Sequence, residues 1–128
     1  AVSILVEIVS ASNLPVPGER ESEGLGGMAI PGNHFFVPAP EALPTSNPYV
    51  VVRDGRTDVH TTSVVSDTVN PIWTISTGSL CMLQYKSLLD FFERSNVLEF
   101  AVKNHESNVG VEHKTVGTVM VHKTELLE

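Results

Sequence analysis

Short apolar segments with a two-residue alternation, each closed by a turn signal, constrain this chain more than any other feature. Val2-Ser-Ile-Leu-Val-Glu-Ile-Val-Ser-Ala is β-branched and partly alternating, the mark of a half-buried strand. Asn47-Pro-Tyr-Val-Val-Val-Arg gives a second strand, and Asp54-Gly-Arg-Thr-Asp supplies turn chemistry before a third at His60-Thr-Thr-Ser-Val-Val. Asn70-Pro-Ile-Trp opens an extended run that continues through Ser79-Leu-Cys-Met-Leu. Val97-Leu-Glu-Phe-Ala-Val-Lys and Thr115-Val-Gly-Thr-Val-Met-Val-His alternate cleanly and read as strands. One helix is expected, about two turns over Ser87–Arg94, with Leu88, Leu89 and Phe92 on its apolar face. Many short strands and one short helix predict an all-β antiparallel sandwich.

A chain of 128 residues holds one domain. Its 41% hydrophobic and 18% charged residues suit a packed core rather than disorder. Residues 15–46 depart from the pattern: they hold most of the prolines and glycines, and their apolar clusters have no sustained period. They are expected to form a long surface loop inserted in the single domain 1–128, and loops of that length are usually functional or disordered.

Net charge is -7, and the eight basic residues are scattered along the chain. Binding to nucleic acid, which needs several cations on one surface, is not expected. The single cysteine, Cys81, rules out an internal disulfide, and no run is long and apolar enough for a membrane helix. These features predict a cytoplasmic setting, with peripheral membrane association as the variant. The ends read as those of a domain cut from a longer protein.

Five separated motifs, in order, resemble the C2 domain family. Ser10-Ala-Ser-Asn-Leu-Pro resembles the family's passage from opening strand to first loop. Ser46-Asn-Pro-Tyr-Val-Val-Val is similar to its Ser-Asp-Pro-Tyr-Val strand, and Thr61-Thr-Ser-Val-Val-Ser-Asp-Thr-Val-Asn-Pro-Ile-Trp to its T-x-N-P-x-W segment. Leu98-Glu-Phe-Ala-Val-Lys-Asn and Val116-Gly-Thr-Val-Met-Val complete the pattern. The resemblance implies an antiparallel eight-stranded Greek-key β-sandwich, and both of the family's circularly permuted strand orders fit these motifs. Pro48 and Pro71 fall at strand starts, where a missing N–H is tolerated, and Tyr49 and Trp73 are large enough to fill the inter-sheet space.

The family holds calcium at one end of the sandwich with loop carboxylates. The resemblance places those positions on Asn47, Asn104, Glu106 and Lys114, so two anions have become amides and one a cation. Such a set implies no cofactor, with calcium bound in the usual way not expected. Glu19, Glu21 and Glu23 are the carboxylates of the insertion that remain to replace the lost charge. Met28, Ile30, Phe35, Phe36 and Val37 are the candidate membrane or partner contact. The alternative is that Phe35, Phe36 and Val37 fold back over an open sheet edge.

No catalytic signature stands out, so no enzyme is expected. Cys81 lies in an apolar run, where an inert thiol is the ordinary outcome. His105 and His113 share the later loop with Glu106 and Glu112, which reads either as solvated loop residues or as a transition-metal site. The expected function is a calcium-independent module mediating protein–protein interaction within a larger cytosolic scaffold or signalling protein. The rival is a peripheral phospholipid-binding domain that uses the apolar loop, with weak calcium binding as its variant.

Overall fold

The structure is a computed structural model that describes residues 1–10, 37–38, 47–106 and 113–127. Two antiparallel sheets face each other. One pairs β1 (Val2–Glu7) with β5 (Leu80–Tyr85). The other has five strands in the order β2-β7-β6-β3-β4, with β2 at Val37–Pro38, β3 at Pro48–Asp54, β4 at Thr57–Thr61, β6 at Val97–Asn104 and β7 at Thr115–His122. The short helix α1 spans Leu88–Glu93 between β5 and β6.

Alternation fills the space between the sheets. Val50 and Val52 of β3, Leu98 and Phe100 of β6, and Val119 and Val121 of β7 point inward against Val6, Cys81, Leu83 and Tyr85, with Trp73 closing one side. Pro48 is buried at the start of β3 as expected; Pro71 is buried but starts no strand, and Tyr49, on the opposite face of β3 from Val50, is half-buried outside the core that Trp73 joins. The same period carries two polar residues inward at opposite ends: Asp54 follows Val50 and Val52, and Asn104 follows Phe100 and Val102. Because Pro48 pairs with Asn104 and Asp54 with Leu98, these two residues mark the two ends of the sandwich.

The described residues contain six strands of five residues or more and the two-residue β2, where the resemblance implied eight. Asn70–Trp73 contributes only an isolated bridge between Ser10 and Ile72, because Pro71 has no N–H to extend it. A 3-10 turn at Ile75–Thr77, closed by Gly78 at φ 85°, then interrupts the run before β5. The third strand also begins earlier than expected, at Thr57 instead of His60, since Gly55 at φ 64° lets the chain reverse within two residues. It stops at Thr61 because the Thr62 Oγ1, in place of a backbone carbonyl, accepts the Val50 N–H at 2.9 Å.

Two further expectations are corrected. The stretch 15–46 is not loop throughout: Val37 and Pro38 pair antiparallel with Thr118 and Gly117 at the edge of the larger sheet, a place where proline is tolerated. In α1 the fully buried ring is Phe91 and Phe92 packs against the core as expected, while Leu88 and Leu89 are 54% and 86% exposed.

Candidate functional site

At the Asn104 end, three connections converge. Asn47 immediately precedes β3, His105 and Glu106 follow β6, and His113 and Lys114 precede β7. The backbone holds them together: Asn104 N–H donates to Lys114 O at 3.0 Å, and His105 N–H donates to Asn47 O at 2.9 Å. The amide side chains are engaged as well. Asn104 Oδ1 accepts the Asn47 N–H at 2.9 Å, Asn104 Nδ2 donates to Glu106 Oε1 at 3.4 Å, and Asn47 Oδ1 accepts the Asp67 N–H at 3.2 Å. Asn104 is buried, whereas Lys114 and Asp67 are exposed.

The four positions Asn47, Asn104, Glu106 and Lys114 therefore come together. Met28, Ile30, Phe35 and Phe36 lie outside the described residues, as do Glu19, Glu21 and Glu23; Val37 sits in β2 at the sheet edge. Asp67 belongs to this end although sequence reasoning missed it. The signal for it is its place in the T-x-N-P segment, and it adopts φ 55°, a left-handed conformation that Asp tolerates. Equally missed was the partnership of Tyr49 with His113: the Tyr49 hydroxyl and His113 Nδ1 are 2.7 Å apart. Burial, and secondarily the Asp58 charge, raises the Tyr49 pKa above its ordinary value. His105 packs edge-to-face on His113 with ring centroids 4.7 Å apart. Among the described residues, no three His, Cys, Asp or Glu side chains converge on one point.

The Asp54 end is built differently. Asp54 and Lys123 are both fully buried, and Lys123 Nζ donates to Asp54 Oδ1 at 2.8 Å and to the carbonyl of Phe91. The Tyr85 hydroxyl donates to the other carboxylate oxygen at 2.9 Å. Burial first, then the Asp54 bond and charge, pushes the Tyr85 pKa well above the ordinary tyrosine range. Lys123 also stands over the Tyr85 and Phe91 rings, 5.3 and 5.0 Å from their centroids. One carboxylate thus ties β3, β5, α1 and the closing 3-10 turn (Lys123–Leu127) together, which is a structural task.

Cys81 is fully buried among apolar side chains, and that burial pushes its thiol pKa up to about 11. Since the thiolate is the reactive form, Cys81 should resist iodoacetamide at pH 8 in the native protein and react on denaturation. Mass spectrometry before and after adding denaturant checks this; rapid native labelling would contradict the packing.

Two facing antiparallel sheets with polar loops gathered at one end define a β-sandwich binding module. A family model for the C2 domain matches residues 3–128, and the chain belongs to that family. The C2 domain is a non-catalytic targeting module for membranes, lipids or calcium. Solved structures agree on the fold. Human GIVD cytosolic phospholipase A2 in complex with methyl gamma-linolenyl fluorophosphonate superposes with a TM-score of 0.55 at 17% identity, over 96% of this chain and 13% of that one. A structure of Extended-Synaptotagmin 2 containing its SMP domain and two C2 domains does so with a TM-score of 0.55 at 14% identity, over 98% of this chain and 21% of that one. The chain thus spans only a small share of either protein. No curated protein matches it. Among the described residues, no helix is long and apolar enough to cross a membrane.

Proposed function

We propose that this C2 domain is a calcium-independent docking module for a protein partner. The observation that carries the reading is that the described polar groups of the loop end bond to one another. Calcium takes six to eight oxygens, usually with several carboxylates among them. Here the described carboxylates are Asp67 and Glu106, the Asn47 and Asn104 amide oxygens already accept backbone N–H groups, and Lys114 adds a cation on the adjoining strand end. Among the described residues this donor set falls short of the oxygens and charge that calcium takes. Protein docking is further supported by the outer face of the smaller sheet, where Leu5 lies directly opposite Met82, each 57% exposed, with Leu80 beside them. A net charge of -7 disfavours attraction to anionic lipid.

The second reading, a phospholipid-binding module, draws on the likeness to a phospholipase and on the apolar residues Met28, Ile30, Phe35, Phe36 and Val37. Co-sedimentation with phosphatidylcholine–phosphatidylserine vesicles separates the two. The expected result is little pelleting, unchanged by calcium. Tight pelleting lost in a Phe35→Ser, Phe36→Ser double variant would establish the lipid reading, since each inserted ring contributes on the order of 1–3 kcal/mol. Pelleting that appears only with calcium would sink the calcium-independent reading.

A further inference from the structure

We infer that His105 and His113 form a two-imidazole clip for a borderline divalent transition ion, zinc being the representative. The clip stands at the loop end but rests on its own geometry and not on the docking reading. Two imidazoles bound side by side to one ion, each with a metal–nitrogen bond of about 2.0–2.1 Å, hold their ring centroids roughly 4.5–5.2 Å apart for bond angles between square and tetrahedral. The two rings here make an edge-to-face contact at an interplanar angle of 60°, and their centroid separation of 4.7 Å is one that a shared ion can bridge.

Their carriers are set in place before any ion arrives. His105 follows Asn104 and His113 precedes Lys114, and the Asn104–Lys114 and His105–Asn47 backbone bonds fix the two chain segments side by side. The Tyr49 oxygen takes up His113 Nδ1 at 2.7 Å. With the Nδ1 proton donated to that oxygen, Nε2 keeps its lone pair, the arrangement by which an outer partner orients a metal-binding histidine. Among the described residues no third His, Cys, Asp or Glu joins the pair, so the described part of the site is a two-imidazole clip. Replacing carboxylates by amides keeps oxygen donors but removes the charge that calcium favours, and two imidazole nitrogens nearby suit zinc, nickel or copper better.

Titration calorimetry of the full chain with zinc chloride, and in parallel with calcium chloride, tests the assignment. The expected result is one saturable zinc site per chain in the micromolar range and no heat from calcium. His105→Ala and His113→Ala should each weaken zinc binding at least about tenfold, and Tyr49→Phe should weaken it severalfold with the stoichiometry kept. His122→Ala, an exposed histidine at the far end of β7, should change nothing. Circular dichroism confirms that each variant folds, with His105→Gln and His113→Gln as replacements if an alanine variant does not. Absence of saturable zinc binding up to millimolar concentration overturns the clip. So does zinc affinity retained in the folded His105 and His113 variants, which assigns the ion to an adventitious surface site.

Discussion

Lys123→Met should destabilise this domain by about 3–5 kcal/mol, a large part of the roughly 5–15 kcal/mol that holds a domain of this size together. The substitution keeps most of the side chain's apolar length and removes its ammonium. What it leaves behind is the cost: Asp54, fully buried, retains a Tyr85 hydroxyl on one oxygen but loses the cation on the other. The Phe91 carbonyl loses a donor as well. Arg94 offers limited relief, because its guanidinium stands 4.0 Å from Asp54 and is 53% exposed, where screening reduces such a pair to about 1 kcal/mol or less. Thermal or urea unfolding followed by circular dichroism measures the effect, with a fall in melting temperature of roughly 10–20 °C expected.

A companion variant separates the cost of an orphaned charge from the worth of the pair. Asp54→Asn combined with Lys123→Met removes both charges and keeps an amide oxygen for the Tyr85 hydroxyl. Buried ion pairs replaced as a unit are often neutral or better, so the double variant should recover most of the loss. A double variant as unstable as the single would mean that the ion pair itself contributes most of the stability, contrary to this expectation. Arg94→Ala should cost less than about 1 kcal/mol.

The sandwich was legible in the sequence because alternation and burial are one fact seen twice. The segments around Val50, Phe100 and Val119 alternate in the sequence and bury alternate side chains in the fold. What misled was local chemistry that competes with the ladder. Thr62 caps β4 with its own hydroxyl, the Thr74–Thr77 turn breaks the extended run, and Gly55 shortens a hairpin loop to two residues. None of these alters hydrophobic period, so pattern reading passes over them. The candidate site was half legible. The motif order located Asn47, Asn104, Glu106 and Lys114, because each is anchored to a strand end. Asp67 reaches the same end from an irregular segment, and its partner Asn47 is twenty residues away in the chain. Asp54 and Lys123 are 69 residues apart, and nothing local in either segment announces the pair.

The helix sets two such readings against each other, and substitution can decide between them. Spacing alone places Leu88, Leu89 and Phe92 inward, but a six-residue helix has too few turns for an apolar stripe to dictate its rotation. Contacts at its ends do so. Ser87 Oγ accepts the Asp90 N–H at 3.2 Å, Asp90 Oδ2 accepts the Lys86 N–H at 2.8 Å, and the Phe91 carbonyl is claimed by Lys123. Held that way, Phe91 enters the core edge-to-face with Tyr85, ring centroids 5.0 Å apart, and Leu89 faces outward. Phe91→Ala should therefore cost about 3–5 kcal/mol, through lost transfer energy, the cavity left and a looser seat for Lys123. Leu89→Ala should stay within about 0.5 kcal/mol, because it exchanges an exposed side chain for the residue of highest helix propensity. Urea unfolding of both variants measures the contrast. Equal losses would mean that α1 turns its leucines inward, and the Lys123 anchor, which depends on the Phe91 carbonyl facing it, would fall with the same result.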